Sequence, residues 1–386
     1  MEAKTSPITN RWGEVDPVPV EAEHFPVCLG TAGAAYNHHH QLAWMDGRVY
    51  ASWSNGLVHE DAPGQRMVMA ASEDMGETWS EPGVVVDRQP GRAGHGVVTA
   101  EGIHVHEDTL VAYYGYYDYD ERGVRTHLER GNYPKQELEF RVNFDSHTGI
   151  MVSNDAGATW TGPVARIDRF VPNLGPHRIR GGRLILPGNM WYPYTDDPSG
   201  IHGWTIAGLP RLPEDYYDDP EGFWYGRAHR GDAAAYCEGS CYETGDGVVH
   251  MMLRMEDPQT VGLLAVTESR DRGETWSEPM VTGYTDCNCR FHFGRLPDGR
   301  YFGVSCPDPA SARTPMILAA GVDGIVFDRH YVLGDEPPGT PRMAGHHKNG
   351  RYGYPSYLLV DDVLLVIYSV NKEDIRVCRV ALSELG

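Results

Sequence analysis

Positive charge is scarce in this sequence. Lys and Arg number 33 against 54 Asp and Glu, a net charge of −21. A nucleic-acid partner needs a basic surface to neutralise phosphate, so that class is excluded. A local cluster of Arg can still reverse the field inside one pocket. Long apolar runs are missing too. None approaches the ~18 residues of a membrane helix, so no membrane partner is expected. Met1–Pro17 is polar and lacks the apolar stretch of a secretory signal. The expected compartment is the cytoplasm, or the exterior if a leader has been trimmed away. Cysteine is sparse and odd in number. Cys28, Cys237, Cys241, Cys287, Cys289, Cys306 and Cys378 point to reduced thiols rather than a disulfide framework. Cys237 and Cys241 with Cys287, Cys289 and His292 are a candidate zinc set. Their spacing fits no standard finger, and small buried hydrophobes in strands is the simpler reading. The acidic run Glu214, Asp215, Asp218, Asp219 and Glu221 reads as solvated loop, with a structural Ca²⁺ as its alternative. No cofactor is expected.

What the sequence has in quantity is glycine, 45 of 386 residues, and tyrosine, 22. Turn formers with β-compatible aromatics imply many short strands. A repeat organises them. Ser72-Asp74-Gly76-Thr78-Trp79, Ser153-Asp155-Gly157-Thr159-Trp160 and Ser269-Asp271-Gly273-Thr275-Trp276 share one pattern, Ser-x-Asp-x-Gly-x-Thr-Trp. A worn copy is Asp323-Gly324 followed by Phe327. The Asp can bond to N–H groups of its own turn, Gly supplies positive φ, and Trp anchors the turn. These turns resemble the Asp-box of sialidases and related propellers.

Strand patterning repeats around each box. Gln41–Met45, Val49–Ser54, Met67–Ser72 and Val84–Val86 read as four antiparallel strands with Asp46-Gly47 as the first hairpin turn. Further units open near His95, His177, Tyr236, Arg290 and Tyr354. The expected fold is all-β: one six-bladed β-propeller over residues 1–386, four antiparallel strands per blade. A seventh blade within residues 161–235 would be cramped. The last unit shows three strands, so the N-terminal segment is expected to close it.

In such a blade the start of the inner strand, the end of the second and the following loop share one rim. The boxes lie on the other rim. The first rim collects His38, His39, His40, His59, Glu60 and Asp61, then His95, His177, Glu238, Arg254, Arg290, Arg313 and Tyr354. Arg binds carboxylate bidentately, and carboxylate, His or phenol supplies acid, base and nucleophile. The pattern points to a carboxylated sugar.

The site residues also resemble those of sialidases. That resemblance implies Tyr354 as nucleophile, Glu238 as its assistant, Asp61 (or Glu60) as acid/base, and Arg254 and Arg313 as part of a three-Arg carboxylate clamp. The place of the first Arg holds His38. A second resemblance covers Asn37-His38-His39-His40-Gln41-Leu42, Ala62-Pro63-Gly64-Gln65 and Tyr368-Ser369-Val370-Asn371-Lys372-Glu373-Asp374-Ile375. These are similar to Asp-box propellers that act on rhamnose α-1,4-linked to glucuronate, as hydrolases or lyases. That likeness implies His39 or His40 with His59 as proton carriers, Tyr114 as an aid, and Arg130, Arg254 or Arg313 on the uronate. His95, His177 and Arg290 are expected to bind substrate.

Three functions follow as alternatives: an exo-acting enzyme on an acidic, uronate-containing glycan, an exo-α-sialidase, or a non-catalytic glycan-binding propeller. Fold alone does not choose among them.

Overall fold

The computed structural model describes residues 4–62, 64–91, 96–119, 143–210, 236–255, 262–345 and 348–386. Six sheets of three to five strands make up these residues. The first runs Tyr36–Met45, Arg48–Gly56, Arg66–Ser72 and Gly83–Val86, each antiparallel to the next. The second repeats this with Gly96–His106, Thr109–Tyr119, Asn143–Ser153 and Thr161–Asp168. The third is small: His177–Arg178, Leu184–Ile185 and Tyr194–Thr195. The fourth runs Tyr236–Glu243, Val249–Met255, Leu263–Ser269 and Met280–Thr285. The fifth runs His292–Arg295, Tyr301–Ser305, Met316–Gly321 and Arg329–Gly334. The sixth has Gly353–Val360, Val363–Val370 and Asp374–Ala381.

The N-terminal segment serves three sheets. Glu23–Cys28 pairs antiparallel with Asp374–Ala381 and supplies the fourth strand of the last sheet. Before that, Thr5–Thr9 lies parallel along Met280–Thr285, and Val18–Pro19 along Arg329–Gly334. These two straps were not foreseen. They cover the outer edges of two sheets that would otherwise offer unpaired N–H and C=O groups.

The apolar core lies between sheets. Leu42, Val49, Ala51, Trp53 and Val68 of the first sheet pack on Leu365, Ile367, Ile375 and Val377 of the last. Separate clusters join first to second, third to fourth, fourth to fifth and fifth to sixth, and the second sheet packs on Phe170 and Leu186 beside the third. Arg48–Gly56 is buried on both faces after Arg48, its serines included.

The repeated turns are built alike. Ser72 Oγ donates to Asp74 Oδ1 at 2.8 Å, and Asp74 Oδ1 accepts the Thr78 N–H at 2.9 Å. Gly76 at φ 89° gives its N–H to Ser72 Oγ at 2.8 Å. Equivalent bonds recur at Ser153-Asp155-Thr159 and Ser269-Asp271-Thr275. The worn copy keeps Asp323 capping Ile325 and Val326, with Phe327 buried.

Candidate active site

Three inner strands share a defect. Their pairing registers shift between His38 and Gln41, between Cys237 and Ser240, and between Gly353 and Ser356. The residue at each bulge has a left-handed backbone: His39 at φ 50°, Glu238 at 52° and Tyr354 at 56°. None is glycine, so each holds strain on the order of 1–3 kcal/mol. A bulge re-aims one side chain out of the sheet's alternation. The histidine run was expected ahead of the first strand. It lies inside, because the strand starts at Tyr36 and the bulge absorbs one residue.

The re-aimed side chains meet. Tyr354 donates its hydroxyl proton to Glu238, and Arg254 donates to the other oxygen of that carboxylate. Arg254 Nη1 also reaches Tyr354 Oη at 3.2 Å, closing a trio. Arg254 Nε is held by Asn288 Oδ1, and Glu238 N–H by Asn189 Oδ1 at 3.1 Å.

Cations surround the phenol ring. The Arg290 and Arg313 guanidinium carbons lie 4.7 and 5.3 Å from its centroid, and Lys372 Nζ lies 5.9 Å away. An acidic chain has thus reversed its field at one point, as cations on low-dielectric walls do. Burial pushes the Tyr354 phenol up, Glu238 adds to this, and Arg254 and Arg313 only partly oppose them; the result lies well above the usual range. Tyr354 is therefore a phenol at neutral pH and needs Glu238 to take its proton.

The cations differ in availability. Arg290 is 2% exposed and gives Nη2 to His40 O at 3.0 Å and Nη1 to Asn173 O. Expected to bind substrate, it lies beneath the ring instead, bonded to main chain. Arg313, at φ 59°, has an Nη1 buried without a hydrogen-bond partner. Its stem needs Gly350, where a Cβ would stand 2.6 Å from Arg313 Cδ.

A second polar chain starts at His39. His39 Nε2 lies 3.1 Å from Glu60 Oε1, and His39 Nδ1 lies 3.3 Å from Ser54 Oγ. Glu60 also accepts from Lys372 Nζ at 2.7 Å and Tyr36 Oη at 3.3 Å. Burial pushes the Glu60 carboxyl up, but Lys372 and then the His39 bond outweigh it and hold it well below its usual value. An ionised Glu60 can only accept, so the imidazole donates to it from Nε2. Ser54 Oγ in turn accepts the Ala100 N–H at 2.8 Å.

The other histidines divide. His38 packs at a tilt against Tyr354, 4.1 Å between centroids, and pairs Nδ1 with Ser369 Oγ at 2.8 Å. His40 Nε2 donates to Tyr354 O at 2.9 Å. Burial first, then Lys372 for His38 and Arg290 for His40, keeps both neutral. His59 is buried in the loop before Glu60, and its carbonyl accepts the Ala62 N–H at 3.2 Å. Asp61, at φ 58°, bonds its N–H to Gln65 Oε1 at 2.9 Å and acts electrostatically on Tyr36 and Glu101. His177 sits elsewhere on the axis, 3.0 Å from Ser240 Oγ and 4.9 Å from the His292 ring; burial brings it down to about 4. Tyr114 packs in the core between the first two sheets. His95, Arg130 and the acidic run from Glu214 to Glu221 lie outside the described residues.

Among the described residues, one group has metal-ligand spacing: donor atoms of His38, His39 and Glu60 lie within 4.8 Å of one another. Glu60 is already committed to Lys372 and His39, and the cations about Tyr354 oppose a further positive ion. The candidate zinc set does not come together as a ligand group among the described residues, and Cys237, Cys241, Cys289 and Cys306 are buried as the simpler reading has them. Cys241 packs with Val249 and Met251, while Cys287 and Cys289 cluster with Cys306.

Sequence reasoning missed two residues. Lys372 lies inside the run Tyr368-Ser369-Val370-Asn371-Lys372-Glu373-Asp374-Ile375, whose resemblance gave it no role. Glu101 is 6% exposed at the bulge between Ala100 and Gly102, and it faces His39, Arg290 and Asp61. Burial pushes its carboxyl from 4.5 up to about 7. The folded chain then holds a proton that the unfolded chain releases above its own pKa. Stability falls as pH rises through that window, by up to about 3 kcal/mol. Glu101→Gln is expected to remove this loss. Urea unfolding at about pH 5 and about pH 8 measures it, and an unchanged pH slope in the variant refutes the assignment.

Residues 47–367 match the BNR repeat-like domain. The chain belongs to the BNR repeat-like family. Solved structures carry the same fold. A Dyadobacter fermentans protein of unknown function superposes with a TM-score of 0.61 at 16% identity, covering 93% of this chain and 98% of that one. The NanB sialidase of Streptococcus pneumoniae gives 0.60 at 15%, covering 92% and 70%. The intramolecular trans-sialidase of Ruminococcus gnavus gives 0.58 at 16%, covering 92% and 96%. No match is found among curated proteins. Within this BNR repeat-like chain, Glu238, Arg254, Arg313 and Tyr354 converge. His38 stands where the first clamp Arg was expected, and burial keeps it neutral beside Lys372 and Glu60.

Proposed function

We propose that this protein is an exo-acting, glycan-cleaving enzyme for a sugar that bears a carboxylate. One pocket of a six-bladed propeller does the work. The observation that carries this reading is the closed trio of Tyr354, Glu238 and Arg254 under a cationic ring. In the mechanism it supports, the Tyr354 oxygen attacks the anomeric carbon while Glu238 takes its proton. Arg254 keeps Glu238 placed through their ion pair. Arg313, with an uncommitted Nη1, grips the substrate carboxylate. Asp61 gives the leaving oxygen its proton, since Glu60 is held ionised by Lys372.

A second reading rests on the His39–Glu60 contact with Ser54 behind it. In that reading His39 moves the proton and the substrate is a uronate-linked sugar such as rhamnosyl-α-1,4-glucuronate, cleaved by hydrolysis or elimination. Assay on sialyl and rhamnosyl-glucuronate substrates separates the two. Elimination also leaves an unsaturated uronate that absorbs near about 235 nm, roughly as any such double bond does. No turnover and no change in reducing ends on either substrate would return the chain to a glycan-binding role.

The six-blade reading is itself part of the proposal, with residues 23–28 closing the last blade. Deleting residues 1–29 is expected to replace one cooperative unfolding transition by a broad one, because an open ring leaves strand edges unpaired. A sharp transition at the original midpoint would refute closure by this segment.

A further inference from the structure

We propose that Cys287, Cys289 and Cys306 form an oxidation site that controls the seat of Tyr354. The three thiols cluster, with Cys289 and Cys306 both placing Sγ against one oxygen, Tyr352 O. Cys287 N–H also pairs with Cys306 O at 2.9 Å, holding the two segments side by side. The cluster lies against the backbone that carries Tyr354. Tyr354 N–H donates to Cys289 Sγ at 3.2 Å. Cys306 Sγ–H donates to Tyr352 O at 3.3 Å, and Cys289 Sγ lies 3.9 Å from the same oxygen. Cys289 and Cys306 are buried, while Cys287 is partly exposed and offers a small oxidant its approach.

Chemistry favours reaction here. Burial pushes the Cys289 thiol up, but bonds from Cys287 and Cys306, the Arg313 charge and the Tyr354 N–H outweigh it and hold it well below the usual range. The thiolate is the nucleophile, and an electropositive surround makes it available. With hydrogen peroxide as oxidant, the Cys289 thiolate takes one oxygen, becomes a sulfenic acid and releases hydroxide. The Cys306 sulfur then attacks the Cys289 sulfur and expels the second hydroxide, which leaves as water with the Cys306 proton. Two thiols are oxidised to one disulfide and the peroxide is reduced to two waters. Cys287 is a poorer partner, since one residue between it and Cys289 makes a strained ring. The disulfide removes the S–H donor at Tyr352 O and the thiolate acceptor at Tyr354 N–H. Both bonds support the left-handed turn that points Tyr354 at Glu238.

The test treats the whole protein with hydrogen peroxide, blocks remaining thiols and maps peptides by mass spectrometry. The expected product is a Cys289–Cys306 cross-link, reversed by dithiothreitol. On the same samples the ring ¹³C resonance of labelled Tyr354 is expected to move and return, a readout that needs no substrate. Turnover on whichever of the sialyl and rhamnosyl-glucuronate substrates is cleaved should fall at least about tenfold and recover. Cys306→Ser is expected to give no cross-link and a fixed Tyr354 resonance, with Cys28→Ser as a control that changes neither. Oxidation confined to Cys28, or a cross-link with Tyr354 unmoved, overturns the proposal. Failure of the glycan assay alone would count against the enzyme reading and leave the cross-link result standing.

Discussion

Tyr354→Phe is expected to lower turnover by at least about 10³-fold with little change in substrate binding. The substitution is clean for a structural reason. Phe keeps the ring that packs at a tilt against His38, 4.1 Å between centroids, and lies 4.7 and 5.3 Å from the Arg290 and Arg313 guanidinium carbons. Only the hydroxyl is lost. Glu238 remains paired with Arg254, so no buried charge is stranded and the melting temperature should hold. The loss then reads on chemistry: without the oxygen nothing attacks the anomeric carbon. The measurement is kcat and KM on sialyl and rhamnosyl-glucuronate substrates, with thermal unfolding as the control. Retention of activity within about tenfold would remove Tyr354 from the nucleophile's role.

His39→Ala is expected to behave differently on the two readings. If His39 moves the proton, turnover should fall by about 10²–10⁴-fold, the usual worth of general acid–base catalysis. If Tyr354 is the nucleophile and Asp61 the acid, the variant should keep most of its rate. The substitution opens the link between Ser54 and Glu60, yet Lys372 and Tyr36 still hold Glu60. His38→Ala and His40→Ala serve as comparators. Both rings are held neutral by burial and bonded to fixed partners, Ser369 and the Tyr354 carbonyl. They should cost stability more than proton transfer. Full activity in all three single variants would sink the uronate reading. A large loss at His39 alone, with Tyr354→Phe tolerated, would replace the nucleophile mechanism by proton transfer from the imidazole.

The two proposals about turnover share a site but not a charge pattern. A neutral imidazole cannot stand in for a bidentate guanidinium, so the absent first Arg matters. Cationic charge nevertheless reaches the same pocket from Lys372, across 312 residues of chain to Glu60. Its worth to a carboxylate depends on how far Glu60 already satisfies it.

Local chemistry was legible from residue order. Each Asp-box closes within eight residues, using a hydroxyl, a carboxylate and a glycine whose preferences need no neighbour. Hairpin turns and strand alternation are equally local, so the all-β repeat was readable. Glu238, Arg254, Arg313 and Tyr354 were named through resemblance to a known site, and geometry placed them together. The rest lay beyond residue order. The bulges at His39, Glu238 and Tyr354 depend on pairing register, and a one-residue shift turns a side chain to the other face. Arg290 looked like a rim cation and is a buried support, because its hydrogen bonds run to Asn173 and His40, far away in sequence. Glu101 and the partnership of Cys306 with Cys289 carry no motif, and Lys372 stands in a recognisable run without a role of its own. Their protonation and reactivity come from desolvation and from charges that meet only when the sheets pack together.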